Sequence, residues 1–241
     1  MGKQPHILVD AEDVSERVIV CGEPDRVNRI AGYLTDVKPL SDNREFRLIR
    51  GQYNGKLVTI CSTGIGSPSA IIALEELKQC GVKKIIRVGS AGSLQPNIAL
   101  GDVIIAEAAV RDEGGSKSYV SSSFPAYASL RLTLGLVNYC ADNKVRFHQG
   151  VVRSHDSFYT DDEDAICHYW HNKGVLAADM ETSALLTVGR LRNLEVASIL
   201  TNVVLYQQDV KEGVADYVSA NDVMAQGEAK ATKAALFALT Q

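Results

Sequence analysis

The chain lacks most of the features that mark a specialised class of protein. It has no uninterrupted run of about 18 apolar residues, so nothing in it reads as a membrane span. The amino end, Met-Gly-Lys-Gln-Pro-His, leads into mixed polar sequence without the apolar stretch of an export signal. Cysteines number 5, an odd count without C-x-x-C spacing, which fits neither a disulfide framework nor a zinc knuckle and reads as reduced thiols in a cytoplasmic chain. Basic residues are not in excess: 25 Lys and Arg face 29 Asp and Glu, for a net charge of -4. That balance argues against nucleic acid as the main partner, and any anion site must be built locally from a few arginines and backbone N–H groups. With 6 prolines and 19 glycines, neither a collagen-like nor a low-complexity chain is present.

What is present suits a folded domain. Apolar residues make up 46% of 241, enough for a large core, and the absence of a repeat or a long linker leaves residues 1–241 as a single domain. Strand-like runs occur at 17–21, 46–52, 57–61, 84–89, 102–110, 174–179 and 196–204, several of them apolar on both faces and so suited to the middle of a sheet. Helical patterns fall between them at 24–34, 68–80, 126–143, 161–173, 181–193 and 219–239. The alternation predicts an α/β fold, a central mixed β-sheet flanked by helices. The Gly/Ser-rich stretch 113–123 reads as a long loop within the domain.

In such folds ligands gather at the carboxyl ends of strands. Three strand ends carry small residues or an arginine: Gly22-Glu23-Pro24-Asp25-Arg26, the run 62–69 (STGIGSPS), and Arg87 followed by Gly89-Ser90-Ala91-Gly92-Ser93. Turns of this kind aim backbone N–H groups at an anion, and an arginine fork matches phosphate. Any one of them taken alone reads more readily as a plain loop closure with a surface arginine. Arg87 differs, because it interrupts an apolar strand, where an unpaired charge costs several kcal/mol and so implies a partner or ligand. No Walker motif occurs, and Gly64 and Gly66 lack the third glycine of a dinucleotide loop.

Asp179-Met180-Glu181 sits where an apolar strand gives way to a helix. Two readings stand side by side: carboxylates gripping sugar hydroxyls over a thioether floor, or a helix N-cap with a favourable first-turn charge. Ser154-His155-Asp156 has the letters of a hydrolase triad, but adjacent residues point apart and triads are assembled from distant segments, so it reads as a chance string. His168 and His171 beside the acidic run 161–164 read as a solvated helix face and not as a metal site.

Taken in order, GEPDRVNRI, DNREF, CSTGIGSPSA with IALEEL, IIRVGSAGSLQP, GDVIIAEAAVR, HDSFY and ADMETSALLT resemble the nucleoside phosphorylase family, nearly end to end, and look closer to its uridine phosphorylases than to its hexameric purine enzymes. The resemblance implies phosphate-dependent cleavage of an N-glycosidic bond in nucleoside salvage, with nucleoside and inorganic phosphate as partners and no redox or covalent cofactor. It implies phosphate ligands at Gly22, Arg26, Arg87 and Ser90, joined by Arg44 from a neighbouring subunit, with Arg26, Arg87 and Glu181 carrying catalysis. The ribose falls to Met180 and Glu181, with His6 reaching across a dimer interface, and dimers stack into a homohexamer. Phe158 would stack near the base, and Glu45, Ile65 and Ser69 fall where some relatives hold a potassium ion.

Two departures bear on the base. Val204 stands where purine members carry the aspartate that protonates the leaving base, which favours a pyrimidine. After Phe158-Tyr159, where uridine phosphorylases carry a glutamine and an arginine, this chain has 160–164 (TDDED), whose carboxylates, Asp162 among them, accept from uracil N3–H but donate nothing to its oxygens. Gln207 or Gln208 is the candidate donor, with Asp209 or a water as the stand-in acid should the base be a purine; a non-catalytic nucleoside-binding protein and a hydrolytic nucleosidase are the remaining alternatives.

Overall fold

The computed structural model describes residues 2–208 and 222–241. Ten strands form one mixed sheet: β1 (Arg17–Cys21), β2 (Thr35–Asn43), β3 (Phe46–Tyr53), β4 (Lys56–Ser62), β5 (Lys84–Ser93), β6 (Val103–Asp112), β7 (Ala126–Tyr127), β8 (Phe147–His155), β9 (Ala177–Asp179) and β10 (Glu195–Val204). The order is β10-β6-β8-β9-β5-β1-β4-β3-β2, with β7 paired to β6; β10 also pairs with β5, so five strands close into a ring, and β1, β4, β3 and β2 extend from it. β5 is the hinge of this arrangement. One of its edges runs along β10, and the other meets β1 through Arg17–Val20 and then β9 at Gly92 and Ser93. Its interior residues Ile85, Ile86 and Val88 are fully buried, as a strand flanked on all sides requires.

Six helices occur among the described residues: α1 (Pro24–Ala31), α2 (Ser67–Gln79), α3 (Leu130–Asp142), α4 (Glu163–His171), α5 (Thr182–Leu191) and α6 (Asp222–Thr240). α3 packs on α6 and α2 on α5, while α6 also covers β5 and β10. Gly227 allows that last contact, because a Cβ there would lie 2.6 Å from both the Gly101 carbonyl oxygen and Thr201 Cγ2. No described helix is long and apolar enough to cross a membrane.

The expected α/β architecture is present, with three differences of detail. β2 is a polar edge strand containing Pro39, tolerated because an edge needs no full ladder, and it carries no alternation to announce it. β8 is only partly buried over its first half and buried over its second, where Arg153, Ser154 and His155 follow Val152, so it has no apolar run to announce it. The helix expected from 126 begins at Leu130, since Ala126 and Tyr127 pair with β6 instead. The loop after β6 is tied down: Glu113 accepts from the Ser116 N–H at 2.8 Å, and Arg111 Nη1 donates to the carbonyls of Ser121 and Phe124 at 2.6 and 2.7 Å. Asp209 and the start of the helix expected from 219 lie outside the described residues.

Candidate active site

A cleft of about 1350 Å³ opens at the carboxyl ends of β1, β4, β5, β8, β9 and β10, where the topology places ligands. Gly22 enters it from β1, Ile65 from β4, Ser90 from β5, His155 and Phe158 from β8, Met180 from β9 and Val204 from β10.

Arg87 is the buried charge at its floor, 3% exposed on β5. Its Nε donates to Asp179 Oδ2 at 3.0 Å and its Nη2 lies 2.5 Å from Glu181 Oε2, while Nη1 is buried without a partner among the described residues. A guanidinium with one fork left open is poised for an incoming oxyanion, and leaving it empty costs the desolvation of that donor. Gly89 makes room for it, since a Cβ at that position would lie 2.7 Å from the Arg87 Cζ.

Arg26, on α1, is 4% exposed and also lines the cleft. Its Nη1 donates to the Val88 carbonyl at 3.2 Å and its Nε to Glu228 Oε2 at 2.8 Å. Glu228 belongs to α6 and carries no signal in the sequence; lying 202 residues from its partner, it leaves no local pattern by which to find it.

The two readings of Asp179-Met180-Glu181 divide between its residues. Asp179 serves the helix: its carboxylate accepts the Thr182 N–H at 3.0 Å, the Thr182 hydroxyl at 2.6 Å and the Ser154 hydroxyl at 2.5 Å, besides the Arg87 bond. Glu181 serves the cleft, with Oε1 accepting the Gly66 N–H at 2.6 Å and Oε2 on Arg87. Burial pushes the Glu181 carboxyl above its ordinary value, and Asp179 adds to this while Arg87 opposes it. Met180 lines the cleft beside them.

Ser154, His155 and Asp156 diverge as expected. Ser154 bonds Asp179, Asp156 accepts from the Ser67 hydroxyl at 3.1 Å and the Gly114 N–H at 2.7 Å, and His155 donates through Nδ1 to the Ser157 carbonyl at 3.0 Å. Burial, with Arg153 nearby, lowers the His155 pKa, so a neutral imidazole lines the cleft, a residue not assigned from the sequence. Of the histidine pair, His168 is exposed at the cleft wall, as a solvated helix face implies, while His171 is half-buried, donates to the Leu94 carbonyl at 2.9 Å and stacks on Tyr206.

Phe158, which meets Tyr159 edge-on with ring centroids 5.0 Å apart, lines the cleft together with Gln207 and Gln208. Gln208 Oε1 accepts the Leu205 N–H at 3.0 Å, which leaves its amide nitrogen as a donor. Asp162 does not hold the place expected of it: it is exposed just before α4 and outside the cleft lining, to which the half-buried Glu163 and the exposed Asp164 contribute instead. Glu163 accepts the Cys167 thiol at 3.2 Å and keeps Oε2 without a partner among the described residues.

Two expected ligands lie outside the chain's own cleft. Arg44 is exposed at the β2–β3 turn with φ of 55°, and His6, held through Nδ1 on Glu76 Oε1 at 2.6 Å, accepts at its carbonyl from the neighbouring Asn43 amide. Both belong to one surface. Glu45, Ile65 and Ser69 line the cleft rim around Gly64, where an added Cβ would lie 2.8 Å from Glu45 Cγ and 3.2 Å from Ser69 Oγ. A carboxylate, a carbonyl and a hydroxyl form the all-oxygen donor set that suits a hard cation.

The Phosphorylase superfamily matches residues 16–240. The chain belongs to this family. It is 39% identical to the guanosine phosphorylase of Halorubrum lacusprofundi over 201 residues, covering 83% of each chain. It is 37% identical to the uridine phosphorylase of Escherichia coli over 200 residues, covering 76% of this chain and 79% of that one. Among solved structures, the uridine phosphorylase of Vibrio fischeri is 59% identical with a TM-score of 0.93, covering 99% of this chain and 98% of that one. The expectation of a single-domain α/β nucleoside phosphorylase fold is borne out, and the cleft just described occupies the strand ends of a phosphorylase-superfamily sheet.

Proposed function

We propose that the chain is a uridine phosphorylase-like nucleoside phosphorylase, a pentosyltransferase that cleaves the N-glycosidic bond of a nucleoside with inorganic phosphate. The observation that carries this reading is the open Nη1 of buried Arg87 in the same cleft as Glu181. Phosphate is held by Gly22, Arg26, Arg87 and Ser90, and Met180 and Glu181 take the ribose. One phosphate oxygen bonds to the anomeric carbon as the bond to the base breaks; its electron pair leaves with the base, which then takes a proton. The arginines position the anion about 3 Å from the anomeric carbon, and the anion stabilises the oxocarbenium-like charge.

At the base end, Phe158 stacks, the Gln208 amide donates to a base oxygen with Gln207 beside it, and Glu163 or Asp164 accepts the ring N–H in the part first given to Asp162. Val204 is 5% exposed on β10 and offers no proton to a purine N7, which supports a pyrimidine. The same two carboxylates favour a second reading, guanosine, whose base presents adjacent N–H donors.

In this reading one copy does not hold the whole site, since Arg44 is exposed and neither it nor His6 lines the chain's own cleft. They complete the phosphate and ribose sites of a second copy, in a dimer that stacks into a homohexamer. Support comes from apolar side chains left exposed on two surfaces: Ile65 at 79% beside the cleft rim, and Leu130 and Leu134 at 81% and 54% on α3. Glu45, Ile65 and Ser69 hold a structural potassium ion between subunits, tested by replacing potassium with lithium in the assay. The five free cysteines support work in a reducing cytoplasm, in nucleoside salvage.

Base release from uridine, thymidine, inosine and guanosine, with and without phosphate, tests the function. Uridine turnover that vanishes without phosphate is expected. Rapid purine cleavage with none on uridine would overturn the base preference, undiminished activity without phosphate would establish hydrolysis, and no release from any nucleoside would leave a binding protein.

A further inference from the structure

Around the phosphate end of the cleft the charges are not in favour of an anion. Glu23, Asp179, Glu181 and Glu228 all lie on or directly behind its wall, against Arg26 and Arg87. Glu228 is the most exposed to this objection. It is only 7% exposed and shares its Oε2 with Arg26 Nε at 2.8 Å. A carboxylate in that position fixes the direction of the arginine but also neutralises it, which weakens its hold on phosphate.

A third arginine answers the objection. Arg29, one turn along α1, places Nε 2.6 Å from Glu228 Oε1 and Nη2 2.9 Å from Oε2, and the same Nη2 bonds Glu23 Oε1. It therefore engages both oxygens of Glu228 and the carboxylate at the cleft mouth, yet it does not itself line the cleft and is 47% exposed. The spacing of Arg26 and Arg29 on α1 points them together at α6, and Gly227 lets α6 come near enough for the next residue to reach them.

We propose that Glu228 and Arg29 form a charge-balanced positioning pair for Arg26: Glu228 aims its guanidinium, and Arg29 cancels the negative charge that Glu228 would otherwise bring to the phosphate pocket. The inference rests on the reading of Arg26 as a phosphate ligand. Glu228 and Arg29 are positioning residues that act through Arg26 and do not touch substrate.

The test combines steady-state kinetics, varying phosphate and nucleoside separately, with calorimetric binding of inorganic phosphate to the intact protein. Arg29→Met is expected to raise the phosphate KM and Kd about tenfold, equivalent to about 1.4 kcal/mol, with the nucleoside KM unmoved. Adding Glu228→Gln to Arg29→Met should recover most of that loss, because glutamine keeps an acceptor for Arg26 Nε without the charge. Arg29→Lys keeps the charge and should hold phosphate nearly as well as arginine. Glu228→Ala removes the anchor and should raise the phosphate KM whichever residue stands at 29.

A phosphate KM unchanged in Arg29→Met, an equal rise for both substrates accompanied by a lower unfolding temperature, or a double variant no better than Arg29→Met would each overturn the pair. Arg26→Met separates the two levels: if phosphate binding survives that change, the phosphate site has been misread and not the pair behind it.

Discussion

Gly89→Ala isolates the placement of Arg87 from its chemistry, because it alters no polar group. The added Cβ would lie 2.7 Å from Arg87 Cζ, from Arg87 Nη2 and from Leu200 Cδ2. Carbon atoms rest about 3.5 to 4.0 Å apart, so each contact is short by roughly 0.8 to 1.3 Å. Leu200 is fully buried and paired in register with Gly89 between β10 and β5, so it has nowhere to go. The guanidinium is the far end of a flexible chain and must move, straining its 3.0 Å bond to Asp179 and its 2.5 Å contact with Glu181. A shift of about 1 Å in a positioning group costs on the order of 100-fold in kcat/KM. Overpacking adds about 1 to 3 kcal/mol of lost stability, and at this chain length each kcal/mol lowers the unfolding midpoint by roughly 2 to 4 °C. The assay is phosphorolysis of uridine at varied phosphate, with thermal unfolding alongside. Gly189→Ala is the control, since its Cβ crowds Val196 away from the cleft and should lower the midpoint while the folded enzyme keeps its kcat/KM. Should Gly89→Ala keep kcat/KM within threefold of wild type while losing stability as the control does, catalysis does not depend on where Arg87 sits.

Two further outcomes follow from the same site. Arg44→Ala should abolish activity although Arg44 lies outside its own cleft, and co-assembly with inactive Arg87→Ala subunits should restore a fraction of it; no recovery in mixed oligomers counts against a shared site. Glu181→Gln should lose turnover yet unfold at a higher temperature than wild type near neutral pH. Burial holds the Glu181 pKa above its unfolded value of 4.5, so the folded state binds the proton more tightly. Wild-type stability therefore falls as pH rises from the unfolded pKa through the folded one, and the advantage of glutamine should vanish below that window. Equal midpoints for the two proteins at neutral pH would contradict the burial argument.

What could be read from sequence was whatever is local. The apolar runs of β1, β5 and β10 identified strands buried on both faces, and the charge of Arg87 inside one of them marked the site through its residue type and neighbours alone. β2 escaped because five exposed residues and a proline carry no period-two signal. Asp162 and Glu163 could not be told apart, since which of two adjacent carboxylates faces inward depends on the residue at which α4 begins. Glu228 reads in sequence as an ordinary helix residue; only the packing of α6 over β5 turns it toward α1.

The ring of strands and the grip of α6 on α1 also set when the site can exist. Arg87 takes its direction from Asp179, 92 residues further along, and Arg26 from Glu228, 202 residues further along, in a chain of 241. A ribosome delivers the amino-terminal strands first, and pairings this distant in sequence form late because their loop closure must come before the contacts that reward it. The emerging polypeptide thus passes through no stage with a complete pocket: β1, β4 and β5 can assemble early, but Arg87 stays unaimed until β9 joins them and Arg26 until α6 docks. The phosphate pocket is complete only once α6 has docked, so a chain cut short before α6 carries the strand-end residues of the site without the aim of Arg26.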